Sequence, residues 1–189
     1  MPSTDPLPRY GLVAIALHWL IALCVVAAFG LGVTMVDIPG ITPRKLRYFN
    51  WHKWMGVTIF ALMALRLLWR LWHPAPPLPP AMPRWQRLLA TSTHHLLYLL
   101  LFAIPASGYL YSLAAGIKVV YLGVVPLPVL IDPSPTLKPL LKAVHFSLNM
   151  LLAALVAGHV GAALKHHFHD RDAVLQRMLP ARSGTGDAR

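Results

Sequence analysis

Lys138–Lys165 reads KPLLKAVHFSLNMLLAALVAGHVGAALK, an apolar stretch whose interior holds two imidazoles, His145 and His159. The pair stands fourteen residues apart. That is about four helical turns, so both rings lie near one helix face, separated along the axis by about 21 Å. A stretch of this length and hydropathy reads as a transmembrane helix. Ionisable groups at membrane depth are costly enough to be read as functional. Two further apolar segments carry single histidines, His18 and His52, that can face them.

Composition agrees with a membrane protein. The chain has 189 residues, 57% hydrophobic and 12% charged, where a soluble domain carries about a quarter charged residues. No cleavable signal peptide is expected. The residues before Leu12 are few and proline-rich, no A-x-A site follows the first apolar run, and that run is read as a retained anchor. The single cysteine, Cys24, lies inside it, so no intramolecular disulfide or cysteine-based metal site is expected. Glutamate is absent, and none of the six aspartates falls in an expected span. Carboxylate-bridged metal centres and carboxylate proton relays are thereby disfavoured. The net charge of +11 would favour nucleic acid on a soluble protein. Here the charges flank apolar runs, so anionic lipid headgroups are the expected partner and nucleic acid is not.

The expected organisation is one all-α integral membrane domain over residues 1–180, with spans at about 12–36, 51–72, 88–111 and 138–165. Asp37, Pro39 and Gly40 mark the first turn. Thr42 and Pro43 predict a cap and first helical residue for a helix running to about Trp72, whose hydrocarbon part is nearer Trp51–Trp69. His73–Pro83 reads as a stiff, extended proline-rich connector. A third helix over Arg84–Tyr111 contains Pro105, which should kink it or end its regular part. Tyr109–Pro133 is the longest connection, and loops of that length are usually functional or cover something. The fourth helix is expected to begin near Ser134-Pro135 and to run to about His167. Residues 181–189 read as a disordered Gly/Ser-rich tail.

Counting lysine and arginine sets the orientation. The side with both termini and the second connection carries ten: Arg9, Arg66, Arg70, Arg84, Arg87, Lys165, Arg171, Arg177, Arg182 and Arg189. The other carries seven: Arg44, Lys45, Arg47, Lys53, Lys118, Lys138 and Lys142. The bias places both termini in the cytoplasm, with an outer face that is basic for its location.

In that orientation the four histidines fall at two depths. His18 meets His159 near the inside, and His52 meets His145 near the outside. Imidazole is a standard axial ligand of haem iron, and two imidazoles leave no open position. The expectation is a four-transmembrane-helix bundle binding two bis-histidine haems, with His18, His52, His145 and His159 as the iron ligands. A single such histidine could instead be a helix–helix hydrogen-bonding residue. One zinc ion cannot serve both depths.

The chain resembles the bacterial cytochrome b561 family. The matching stretches are Arg9-Tyr10 with Leu17-His18-Trp19, Asn50-Trp51-His52-Lys53, and Leu65-Arg66-Leu67-Leu68-Trp69-Arg70. They continue with His94-His95-Leu96-Leu97-Tyr98 leading to Pro105 and Gly108, then His145, His159, Lys165-His166-His167-Phe168 and Arg177-Met178-Leu179-Pro180. The resemblance implies two haem b groups in the inner membrane of a bacterium. In one branch it implies oxidation of superoxide at the periplasmic face with ubiquinone as acceptor. The fold is also similar to the cytochrome b subunits of membrane hydrogenases and formate dehydrogenases, which take electrons from a partner subunit.

His94 occupies the family's third-helix histidine position, at an inner level that has two axial places. It is either a ligand or, in preference, a hydrogen-bonding group for a propionate or quinone. His95 points about 100° away, towards lipid or the interface. Arg66 and Arg70 lie near the inner level with no acid nearby in sequence, so a haem propionate is the natural partner. The alternative is that both snorkel to headgroups. His166, His167 and His169 are expected at headgroup level, a metal site on the last two being the lesser reading. The tryptophans cluster at span ends, as interfacial belts do. Arg44, Lys45, Arg47, Lys53, Lys118, Lys138 and Lys142 would steer a small anion such as superoxide. Three functions follow as alternatives: superoxide oxidation with quinone reduction, electron transfer between quinone and a separate redox protein, and a non-redox bundle.

Overall fold

A computed structural model describes residues 9–78 and 82–180. Pro79 and Pro80 of the connector lie outside the described residues, as do the expected tail and its Arg182 and Arg189. Four long helices dominate: α1 (Leu12–Asp37), α2 (Pro43–Trp72), α3 (Arg84–Ala114) and α4 (Leu137–Lys165). Each is long and apolar enough to cross a membrane. At 26 residues the shortest, α1, extends about 39 Å, beyond the ~30 Å hydrocarbon thickness.

Local chemistry sets the helix starts. The Thr42 hydroxyl accepts the Lys45 N–H at 3.2 Å, with Pro43 at the first helical position. The Ser134 hydroxyl accepts the Leu137 N–H at 3.2 Å where α4 begins. Pro105 does not end α3, which continues to Ala114. The third connection therefore starts at Ala115 rather than at Tyr109. Leu113 and Ala114 are buried, and that packing carries the helix past the expected stop.

This connection folds into a small hairpin, β1 (Val120–Tyr121) with β2 (Val125–Pro126), antiparallel with Val120 opposite Pro126. Leu122 and Gly123 both have positive φ, 52° and 75°, within a connection of three residues, 122–124, between the paired Tyr121 and Val125. The hairpin is fastened to the bundle. Trp54 Nε1 donates to the Val120 carbonyl at 2.7 Å, Tyr121 shares a hydrogen bond with Thr58 at 3.0 Å, and the Tyr109 hydroxyl donates to the Pro128 carbonyl.

Packing is uneven. α1 packs on α2, α2 on α3 and α3 on α4, whereas the approach of α4 to α1 and α2 is marginal at most. One core cluster joins Ile21, Ile59 and Met63, with Cys24 packed against it. Another joins Leu100, Ile104 and Leu152. Large apolar side chains elsewhere face outwards, among them Leu23, Val26, Leu71 and Leu88. Apolar exposure on this scale suits a lipid surround.

Candidate functional site

The helices that pack least closely carry the facing histidines. At the level nearer the α3–α4 connection, called outer after the expected orientation, His52 of α2 and His145 of α4 have ring centres 6.2 Å apart with planes at 89°. At the level nearer the start of α1 and the end of α4, called inner in the same sense, His18 of α1 and His159 of α4 have ring centres 6.3 Å apart with planes at 64°. Two imidazoles on opposite sides of one metal, each bonded at about 2.0–2.1 Å with the ring centre ~1.1 Å further out, are about 6.2–6.4 Å apart. The observed separations fall in that interval at both levels. The donor set therefore fits two six-coordinate, bis-histidine groups.

The outer rings are fixed from behind. His52 Nδ1 lies 2.9 Å from the Ala28 carbonyl, and His145 Nδ1 lies 3.1 Å from the Ile104 carbonyl. A carbonyl only accepts, so Nδ1 carries the proton in both rings and Nε2 keeps the lone pair a metal needs. One device serves both. Four residues beyond each carbonyl stands a glycine, Gly32 or Gly108. A Cβ on Gly32 would come 3.2 Å from His52 Cε1, and one on Gly108 would come 2.8 Å from His145 Cε1. The missing side chains let each ring lie against the neighbouring helix and reach its backbone. Ser107 adds a hydroxyl 3.1 Å from His145 Nδ1. No hydrogen bond reaches the rings of His18 or His159 among the described residues. Sequence reasoning missed Ser107 and the two carbonyls. Its available signal was small residues, Gly32, Ser107 and Gly108, inside apolar helices.

His94 stands at the inner level with its ring 5.4 Å from that of His159, and it is exposed. His95 is exposed and has no ring contact with the inner pair. Arg66 finds neutral acceptors rather than an acid. Its Nε donates to the Tyr98 hydroxyl and one terminal nitrogen to the Ala14 carbonyl, both at 2.9 Å. A helical carbonyl has a second lone pair to offer. Arg70 is exposed and lies over the Tyr98 ring at 5.8 Å. Together Tyr10, Ala14, Arg66, Trp69, Arg70, His73, Ala75 and Tyr98 line a pocket beside the inner level.

The seven outer basic residues gather where α2 and α4 begin and on the loop between α3 and α4. Arg44, Arg47, Lys118, Lys138 and Lys142 are exposed, whereas Lys45 and Lys53 are half-buried. Lys45 is already engaged, its ammonium 2.7 Å from the Ile38 carbonyl.

Beyond α4 the chain closes over the inner end. A single π-helical turn covers His166–Asp170 and a 3₁₀ turn covers Gln176–Met178. Arg9 donates to the carbonyls of Gln176 and Leu179 at 2.9 and 2.7 Å, and Trp19 Nε1 donates to that of Met178 at 2.8 Å. Trp19 also meets the His18 ring edge-on at 5.3 Å. His166, rather than His167 or His169, joins the carboxylates. Its Nδ1 is 2.6 Å from Asp172 and 3.2 Å from Asp170, which Lys165 also holds at 2.7 Å. Trp19 and Trp54 thus have defined acceptors in addition to their positions near span ends.

The chain is similar to known proteins over most of its length. A model of prokaryotic cytochrome b561 matches residues 9–181. The chain is 38% identical to cytochrome b561 homolog 2 of Escherichia coli (strain K12) over 179 residues, 95% of each chain. It is 29% identical to cytochrome b561 homolog 1 of the same organism over 174 residues, 92% of this chain and 98% of that one. It is 31% identical to the probable superoxide oxidase CybB of Yersinia pestis over 180 residues, 93% of this chain and 98% of that one.

Proposed function

We propose, for a chain that belongs to the prokaryotic cytochrome b561 family of membrane electron-transfer proteins, the function of a dihaem superoxide:ubiquinone oxidoreductase. The family implies b-type haem. The observation that carries the count of two is the pair of facing imidazoles at each of two levels, 6.2 and 6.3 Å between ring centres. His52 and His145 would hold the outer haem, and His18 and His159 the inner one. Bound there, each haem would supply a one-electron iron couple.

The protein's own residues do the rest. Nδ1 of His52 and of His145 stays protonated against a carbonyl, which keeps Nε2 directed forward. The outer basic residues raise the local concentration of a small anion and its encounter rate. Helices α1–α4 keep water away from the path between the levels. Arg66 and Arg70 supply positive charge where a propionate or a quinone oxygen would lie, with His94 as a further hydrogen-bonding group. In the overall reaction each superoxide loses one electron and leaves as dioxygen. Two such electrons and two protons convert ubiquinone to ubiquinol. The orientation that follows is a bacterial inner-membrane protein with both termini in the cytoplasm.

Support for superoxide as donor comes from the basic outer face and from the name of the Yersinia pestis relative. The same basic face equally suits an acidic redox protein, which makes transfer between quinone and a partner the second reading. Anaerobic stopped-flow mixing of the oxidised protein with superoxide, followed by ubiquinone, separates them. Rapid reduction and then reoxidation by quinone supports the first. Reduction by a purified partner but not by superoxide supports the second.

A further inference from the structure

Building on the outer haem proposed above, we infer that Ser107 is a positioning residue for His145 that fixes its ring and lowers the potential of the outer couple. Ser107 is 7% exposed, on a helix that contributes no ligand to that level. Its Oγ donates to the Ile104 carbonyl at 2.8 Å and lies 3.1 Å from His145 Nδ1. His145 Nδ1 is itself 3.1 Å from the Ile104 carbonyl. A hydroxyl has one proton, and here it goes to Ile104. Towards His145 the hydroxyl is therefore an acceptor, and the Nδ1–H is shared between two oxygens.

That arrangement has two consequences. Two acceptors side by side resist rotation of the ring about its Cβ–Cγ bond. They also draw on the Nδ1 proton, which makes Nε2 a stronger donor and favours ferric over ferrous iron. The four candidate ligands form a graded series. His145 has two acceptors and His52 has one, while among the described residues His18 and His159 have none. An ordinary helical serine bonds back to the carbonyl three residues earlier and stops there. That role needs Ile104 alone and does not require Oγ to sit at hydrogen-bonding distance from a histidine nitrogen on another helix.

The test is a spectroelectrochemical titration of the haem-loaded Ser107→Ala and Ser107→Thr variants in detergent, with low-temperature EPR of the ferric forms. In Ser107→Ala one of the two couples should move positive, by about threefold in the ferric-to-ferrous ratio, which is ~28 mV at about 59 mV per decade. The other couple should not move, and one ferric EPR signal should change. Ser107→Thr, which keeps the hydroxyl, should restore both. Loss of one haem from Ser107→Ala with the other retained would also support the inference. If Ser107→Ala does not accumulate, Ser107→Cys carries the same titration. Couples and EPR signals identical to the parent would overturn it. A His145→Ala protein that still binds two haems would overturn the ligand assignment itself, and this inference with it.

Discussion

Gly108 and His145 occupy one another's space: a Cβ on Gly108 would lie 2.8 Å from Cε1 of the imidazole. The ring needs that room to reach the Ile104 carbonyl at 3.1 Å. Gly32 does the same for His52 and the Ala28 carbonyl, with a looser 3.2 Å. Both outer rings are thus seated against a neighbouring helix through a glycine one turn beyond the accepted carbonyl.

Gly108→Ala should accordingly push His145 out of place at a cost of about 1–3 kcal/mol, the usual range for overpacking. Haem content should fall towards one per chain while the inner pair keeps its haem. Gly32→Ala should do less, because a few tenths of an ångström of movement relieves it. Pyridine haemochrome assay against protein concentration measures both.

Steering by the outer face predicts a salt-dependent rate. Lys118 and Lys142 are exposed, so reversing them should leave the fold intact. The double variant Lys118→Glu with Lys142→Glu should slow reduction by superoxide about tenfold at low salt, and the dependence on ionic strength should shrink. Stopped-flow rates at several salt concentrations check this. Unchanged kinetics would remove the steering argument.

The inner closure depends on Arg9 as a backbone clasp. Arg9→Ala removes two hydrogen bonds to Gln176 and Leu179. Because Arg9 is exposed, the loss in global stability should stay below about 1 kcal/mol. Residues 172–180 should nevertheless exchange amide hydrogens faster, with α1–α4 unaffected, as hydrogen-exchange mass spectrometry would reveal.

Tyr98 is the side-chain acceptor for Arg66 at 2.9 Å. Tyr98→Phe leaves a half-buried guanidinium one acceptor short, which costs about 1–3 kcal/mol. Thermal unfolding in detergent should show the loss. Arg66→Met with Tyr98→Phe should recover part of it, since no guanidinium N–H is then left without its acceptor.

Much of this was legible in the chain. The fourteen-residue spacing of His145 and His159, with His18 and His52 on two other apolar runs, gave the pairing that the structure shows. Thr42-Pro43 marked the start of α2 because capping is a local matter. The hairpin between α3 and α4 was not legible, since its turn places Leu122, a poor turn former, at positive φ beside Gly123. Pro105 is read in the sequence as a kink or an end to the regular helix, and α3 continues through it to Ala114. The clasp and the seats of the outer histidines use backbone carbonyls of Gln176, Met178, Leu179, Ala28 and Ile104. Such acceptors are present at every residue, so side-chain identity gives no sign of which one is used. Arg66 is read in the sequence as needing an anionic partner such as a propionate, and nothing there shows the neutral oxygens of Tyr98 and Ala14 to which it also donates.

Iron and haem counted per polypeptide, in the parent and in His145→Ala and His159→Ala, test the central claim most directly. Two irons in the parent and one in each variant, with a different couple surviving in each, is the expected result. Fewer than two irons in the parent, or pigment intact in either variant, would contradict it.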